Sequence, residues 1–444
     1  IIHTLDAAVP GMMLAYGVGR FGCHFAGDGD STIVDGNIGL PFTADGFVNL
    51  SFQLKNADAT SRSVQRDDAA ALDAAGTQGI RNPAQIWGNP EIKDDITLFA
   101  NVGLDLGNDK EFYMFGNYSE RDVTGGFYYR NPENRGGVYG DKFAMVDSNG
   151  DNVIDGDDDN THIQWLIGDL TADANGQNGT GNCPSVAYPI GERLMDQPEY
   201  AAVMANENCW TFNKMFSGGY TPQFGGNIVD TALTMGTRGE FTEGAFNEVM
   251  YDFSASVGRS ASTFYLSNTV NPSLGPDQPA DNSFNTGKYI QLEKSINADL
   301  VKSIDIGLDE SLNLAGGLEW REESFEIISG EEASWKPGLL KAQGFSIGSH
   351  GFAGFSPASQ GENVRRSVAA YLDAEVYVTN DLLLGAALRY EDYTSFGSTT
   401  NYKLTAQYSL TDEISLRASH STGFRAPTVG QANVVNTQTS LVNG

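Results

Sequence analysis

A strict two-residue alternation of apolar and polar side chains governs most of this chain. Val368, Ala370, Leu372, Ala374, Val376 and Val378 form one series, and Ala369, Tyr371, Asp373, Glu375, Tyr377 and Thr379 form the other. Leu384, Ala386, Leu388 and Tyr390 likewise alternate with Gly385, Ala387, Arg389 and Glu391, and the period recurs at 96–106, 249–257, 312–321, 402–410 and 414–419. A period of two sends the two series to opposite faces of a sheet. The segments run roughly 9–13 residues, longer than the ~5–6 of an ordinary strand and close to the length that crosses a bilayer. About twelve segments qualify, near 33–40, 47–56, 95–106, 111–121, 228–238, 245–257, 287–299, 311–326, 364–379, 381–393, 400–410 and 413–423.

The connections sort by length. Short turns are expected at 41–46, 107–110, 239–244, 380–381 and 411–412, and long or variable loops at 57–94, 122–227, 258–286, 327–363 and 394–399. Short turns on one rim and long loops on the other build an outer-membrane barrel. The polar series carries charge in mid-strand, at Asp373, Glu375, Arg389 and Arg417, which suits a wet lumen and not a dry sandwich core. Aromatic residues recur near strand ends (Phe112, Tyr113, Phe115, Tyr118, Phe127, Tyr128, Tyr129, Tyr390, Tyr393, Tyr402, Tyr408), as interfacial girdles would require. The expected fold is therefore all-β, an antiparallel transmembrane barrel fragment.

Composition removes other classes. Asp and Glu number 57 against 27 Lys and Arg, a net charge of -30, so a general nucleic-acid binder is excluded, because neutralising phosphate takes Lys and Arg. No run of about 18 apolar residues offers a helical membrane span. The chain begins at Ile1 without a signal-peptide pattern and stops at Gly444 just after a strand-like stretch, and it is read as a fragment.

The stretch 382–431, which includes Gly423-Phe424-Arg425-Ala426-Pro427 directly after an alternating strand, closely resembles the later barrel hairpins of TonB-dependent outer-membrane receptors. The runs 366–393 and 312–327 resemble them as well. The resemblance implies a barrel of about 22 strands around a plug, set in the outer membrane of a Gram-negative cell. It also implies a small nutrient ligand (siderophore, cobalamin or oligosaccharide) and an inner-membrane TonB energy-coupling complex that pulls the plug. Neither a plug nor a TonB box is legible here, and the strands make up about half a barrel. An open curved sheet with long extracellular loops is therefore expected over 31–425, followed by a truncated extracellular loop at 426–444. Partners on this reading are outer-membrane lipid, the coupling complex and the nutrient, with no enzyme activity.

Residues 1–30 lack the period. They read as a non-barrel, helical or foreign segment and resemble a short piece of prolipoprotein diacylglyceryl transferase around Gly19, Arg20, Phe21 and Gly22, although Cys23 and His24 follow where that family has an Asn-rich stretch.

Two local motifs carry chemistry. Asp147, Asn149, Asp151, the Val153 carbonyl, Asp155 and Asp158 fall at the spacing that wraps hard oxygens around Ca2+. They lie within 131–200, which holds 13 acidic residues against 3 basic ones. Cys183 and Cys209 share the long loop, and a disulfide between them would restrain it by roughly 3–4 kcal/mol. Tyr128, Tyr129, Trp165, Trp210 and Trp335 are candidate stacking surfaces for a sugar or a siderophore, although such residues more often pack the loop itself. The histidines (His3, His24, His162, His350 and His420) are scattered, and no metalloprotease or nucleophile-elbow spacing occurs. A calcium-braced, adhesin-like surface protein without transport is the alternative function, and a transferase fragment is a third.

Overall fold

The computed structural model describes residues 30–146, 159–308 and 310–434. The chain order of strands is β1 (Ser31–Thr43), β2 (Gly46–Ala57), β3 (Glu91–Gly107), β4 (Lys110–Gly126), β5 (Gly140–Val146), β6 (Asp159–Trp165), β7 (Gly168–Asp169), β8 (Val186–Pro189), β9 (Cys209–Trp210), β10 (Gln223–Phe241), β11 (Val249–Ser267), β12 (Phe284–Ile304), β13 (Leu312–Ser329), β14 (Gly361–Thr379), β15 (Leu382–Tyr393), β16 (Gly397–Ser409) and β17 (Ser415–Ser421). Twelve of them form one antiparallel sheet in the order β1-β2-β3-β4-β10-β11-β12-β13-β14-β15-β16-β17. Every large-sheet neighbour pair is a sequence neighbour once the loop strands β5–β9 are set aside. The sheet is open, with β1 and β17 as its edges.

Each of the twelve expected segments is a strand, and several run further than the alternation does. β12 covers 21 residues, and β11 and β12 take in both ends of the loop expected at 258–286, leaving 268–283 as loop. Strand ends that rise past a bilayer meet water or loop on both faces, so nothing forces alternation there. The variable loop expected at 394–399 is a three-residue turn between Tyr393 and Gly397, because β16 starts earlier than its apolar series.

Register decides which face each side chain takes. On β14, Val364, Val368 and Leu372 are 50%, 56% and 53% exposed, while the intervening Arg365, Ser367 and Ala369 are 6%, 5% and 2% exposed. A soluble sheet has the reverse pattern. The pairing carries this division across the sheet. Asp373 lies opposite Ala315 and Ala387, Tyr371 opposite Gly317 and Arg389, and Leu372 opposite Gly316 and Leu388. The outer face is thus an apolar band of Leu, Val, Ile and Phe. Towards the long-loop rim it turns ionic, where Glu322 takes both Lys294 at 2.9 Å and Arg366 at 2.7 Å.

The inner face is polar and cross-linked. Glu319 accepts from Arg389 at 2.9 Å and lies 3.3 Å from Arg321. The Tyr113 hydroxyl donates to Asp252 at 2.6 Å, and that of Tyr371 donates to Asp299 at 2.7 Å. Each ring lies over a glycine of the neighbouring strand, Gly236 and Gly317 respectively, where a Cβ would overlap it. This placement corrects part of the girdle reading. Tyr113, Phe115 and Tyr393 share the inner face through their partners Gly236, Thr234 and Ser367, whereas Tyr118, Tyr390, Tyr402 and Tyr408 are exposed on the outer face. Phe127, Tyr128 and Tyr129 lie beyond the end of β4, in the long loop.

Three turns at the short rim, those joining β1 to β2, β3 to β4 and β14 to β15, are two residues long. Asn108 and Asp109 link β3 to β4 with φ of 54° and 55°, the geometry that matches the twist of a two-residue hairpin. No helix among the described residues is long and apolar enough to cross a membrane, and that bears only on helices.

Candidate functional site at the long-loop rim

Three loops of the long rim fold together. Val138, Tyr139, Phe212 and Tyr220 from the 127–222 loop pack with Val270 from 268–283 and with Leu340 and Phe345 from 330–360. Inside the longest loop a second core gathers Ile163, Trp165, Val186, Tyr188, Leu194, Val203 and Cys209. Strands β5, β6 and β8 form a small sheet over it, and β7 pairs with β9. The loops therefore form a cap with its own core, held over one end of the barrel wall.

The structure sorts the predicted site residues. Cys183 and Cys209 are bonded, with Cα atoms 5.5 Å apart, and Cys209 is fully buried in the second core. Trp165 is 1% exposed; its Nε1 donates to Thr211 Oγ1 and Asn213 Oδ1, and its ring stacks on Tyr200. Tyr129 is also buried and donates its hydroxyl to the Gly218 carbonyl. These two rings are closed to a solute, because a cap of this size needs large side chains for its own packing. Trp210 packs edge-on against Phe212, and Trp335 donates to the Gly330 carbonyl. Tyr128 alone of the five is largely exposed, set edge-on against an equally exposed Trp87 at 4.9 Å. The calcium-type residues Asp147, Asn149, Asp151, Val153, Asp155 and Asp158 lie outside the described residues, as does all of 1–29. Val146 and Asp159, which flank that segment, are paired across β5 and β6.

Sequence reasoning missed the junction between cap and inner face. Phe352, from the 330–360 loop, packs on Phe224 at 5.2 Å and on Phe264 at 5.8 Å. Phe355 stacks on Tyr289 at 4.6 Å. Phe224, Phe264 and Tyr289 all belong to the inner series of their strands through the pairs Phe224–Leu266, Gly226–Phe264 and Tyr289–Ile327. Further round the wall, Val429 buries against Phe325 and Ile327. It opens the short helix Val429–Asn433, which starts at a capping box formed by Thr428 and Gln431. Arg365 ties this segment down by donating to the Pro427 carbonyl, and it is ion-paired with Glu323. The Arg-Ala-Pro motif thus returns over β13 and β14 on the inner side.

At the same junction, His350 is half-buried beside Tyr220 and Arg135. Its Nδ1 is 2.9 Å from the Tyr220 hydroxyl, and Arg135 Nε donates to its Nε2 at 3.5 Å. Burial, reinforced by Arg130 and Arg135, holds the imidazole well below its ordinary range, so it is neutral at pH 7. Arg130 is pulled down to about 10 by burial and by Arg135 beside it.

An apolar-out, polar-in antiparallel sheet with long loops on one rim is the wall of an outer-membrane-type β-barrel. The chain belongs to the family described as TonB dependent receptor-like, beta-barrel, whose model matches residues 146–443. It is 26% identical over 121 residues to the vitamin B12 transporter BtuB of Photobacterium profundum, a stretch covering 27% of this chain and 15% of that protein. Among solved structures, a variant of the ferric enterobactin receptor PfeA from Pseudomonas aeruginosa matches 91% of this chain and 43% of its own at 11% identity, with a TM-score of 0.48. The siderophore receptor PirA from Acinetobacter baumannii matches 91% and 42% at 12% identity, with a TM-score of 0.46. The chain spans less than half the length of these receptors.

Proposed function

We propose that this chain is part of an outer-membrane receptor of a Gram-negative cell that imports a scarce nutrient, such as a siderophore, cobalamin or an oligosaccharide, by TonB-dependent, energy-coupled transport. The observation that carries the reading is the inverted burial of β14 and its neighbours, apolar residues outside and charged ones inside, joined to a folded cap on one rim. Family membership supports it. The cap faces the cell exterior, solute enters at the junction of cap and inner wall, and Tyr128 with Trp87 is the exposed aromatic surface that meets it. The inner wall holds the plug, through which the coupling complex acts. Expression of the full-length parent protein in a Gram-negative host lacking its own receptors provides the test. Uptake of a labelled solute from one of the three classes, abolished by a proton uncoupler, is expected. Binding at the cell surface without uncoupler-sensitive uptake would favour the adhesin-like alternative.

The 147–158 segment is proposed as a calcium loop on its ligand spacing, with the paired Val146 and Asp159 holding its ends together. Adding Ca2+ to chelator-treated protein then slows proteolysis of the cap, and Asp151→Ala removes the effect. Equal rates with and without Ca2+ would dispose of it.

A further inference from the structure

Arg130 has no anionic partner where one is most needed. It is 2% exposed, and its Nε is sealed without a hydrogen bond. Its guanidinium lies over the Phe127 ring at 5.3 Å. Neither Arg130 nor Arg135 forms an ion pair among the described residues. The groups that act on its charge are a second cation, Arg135, and the Tyr220 hydroxyl. Burying an unpaired cation is costly. In a chain of net charge -30, the missing carboxylate is not a matter of supply.

The cluster faces the interior. The Cβ that Gly351 lacks would lie 3.4 Å from Leu266 Cδ2 and 3.5 Å from Arg130 Nη2. Leu266 belongs to the inner series through its partner Phe224. The guanidinium therefore sits on the inner side of the sheet, near Leu266 and away from the lipid-facing band.

We infer that Arg130 and Arg135, with His350 bracing Arg135, form an oxyanion site at the mouth of the barrel, which takes a carboxylate or phosphate group of a diffusible solute. Two guanidinium forks supply charge-assisted donors suited to a planar carboxylate or a phosphate. Tyr220 holds the imidazole in place, and the Phe127 ring backs Arg130. The assignment rests on the receptor reading for its biological meaning and narrows the imported solutes to those bearing an anionic oxygen group.

Thermal unfolding of the full chain in detergent micelles tests it, with citrate and inorganic phosphate as probes and chloride at matched ionic strength as the control. The midpoint of the wild-type protein rises saturably with one or both probes and not with chloride. Arg130→Met and Arg135→Met weaken that response by about tenfold to a hundredfold in probe concentration. Without probe, Arg130→Met unfolds no earlier than wild type, because it removes an unpaired buried cation. A wild-type protein insensitive to both probes, or an Arg130→Met variant with the full response, overturns the site. If that protein still migrates on gels as a heat-modifiable barrel, the receptor reading survives. If the wild-type chain shows no such migration, the receptor reading falls and the solute assignment falls with it.

Discussion

Leu388→Arg prevents the sheet from entering a bilayer, whereas Ala387→Arg, one residue away, leaves assembly unchanged. Leu388 is 51% exposed on the outer face and pairs with Leu372, in the middle of the apolar series of β14 and β15. An arginine at the lipid midplane of a barrel costs about 2–4 kcal/mol. Ala387 pairs with Asp373 and with Lys403 on the inner face, so an arginine there has a carboxylate on one side to offset the lysine on the other, and it meets water rather than lipid. The comparison is internal, since both variants carry the same charge on the same strand. Folding into lipid vesicles, read as heat-modifiable migration, separates them. Equal yields from the two variants would mean that the outer face does not meet hydrocarbon.

Arg365→Met is the second large effect. Arg365 and Glu323 are ion-paired with side chains 7% and 12% exposed, and Arg365 also donates to the Pro427 carbonyl. Removing one partner of a buried pair leaves the other charge uncompensated, at a cost of about 3–5 kcal/mol. The segment carrying Arg425 and Pro427 loses its tie to β14 at the same time. Trypsin cleavage after Arg425 accelerates in the variant, and its unfolding midpoint drops. Arg365→Met combined with Glu323→Leu recovers much of the midpoint, because no buried charge remains, but it does not restore protection at Arg425. A double variant as unstable as the single one would show that the loss came from packing and not from the orphaned carboxylate.

The wall of this protein was legible from local pattern because a lipid-facing surface and a wet lumen impose opposite demands on alternate residues. Val368 beside Ala369 and Leu388 beside Ala387 declare their faces without knowledge of any partner strand. The strand ends were less legible, as the overrun of β12 and the short turn before Gly397 show, since past the bilayer the two faces no longer differ. The cap was not legible. Trp165 and Tyr129 could be read either as stacking surfaces or as loop packing, and only the contacts of Thr211, Asn213 and Gly218, far away in the chain, settle them as core. The return of Val429 onto Phe325 and the meeting of Arg130 with His350 also join residues distant in sequence. Periodicity carries no information about such pairings. One trace existed beforehand: basic residues are scarce in this chain, so the close spacing of Arg130 and Arg135 beside an acidic loop could have marked that stretch.

The most direct test of the central claim is a spin-label scan along β14, one label at a time from residue 364 to residue 376, in protein folded into vesicles. Collision with oxygen, which concentrates in hydrocarbon, should peak at Val364, Val368, Leu372 and Val376. Collision with a water-soluble nickel chelate should peak at Asp373 and Glu375, the exposed inner positions, and stay low at Arg365, Ser367 and Ala369, which the cap side covers. Over 371–376 the two profiles should therefore oscillate out of phase with a period of two residues. Profiles that rise and fall together, or labels on the Val368 side protected from both reagents, would contradict a wall with lipid on one face and water on the other.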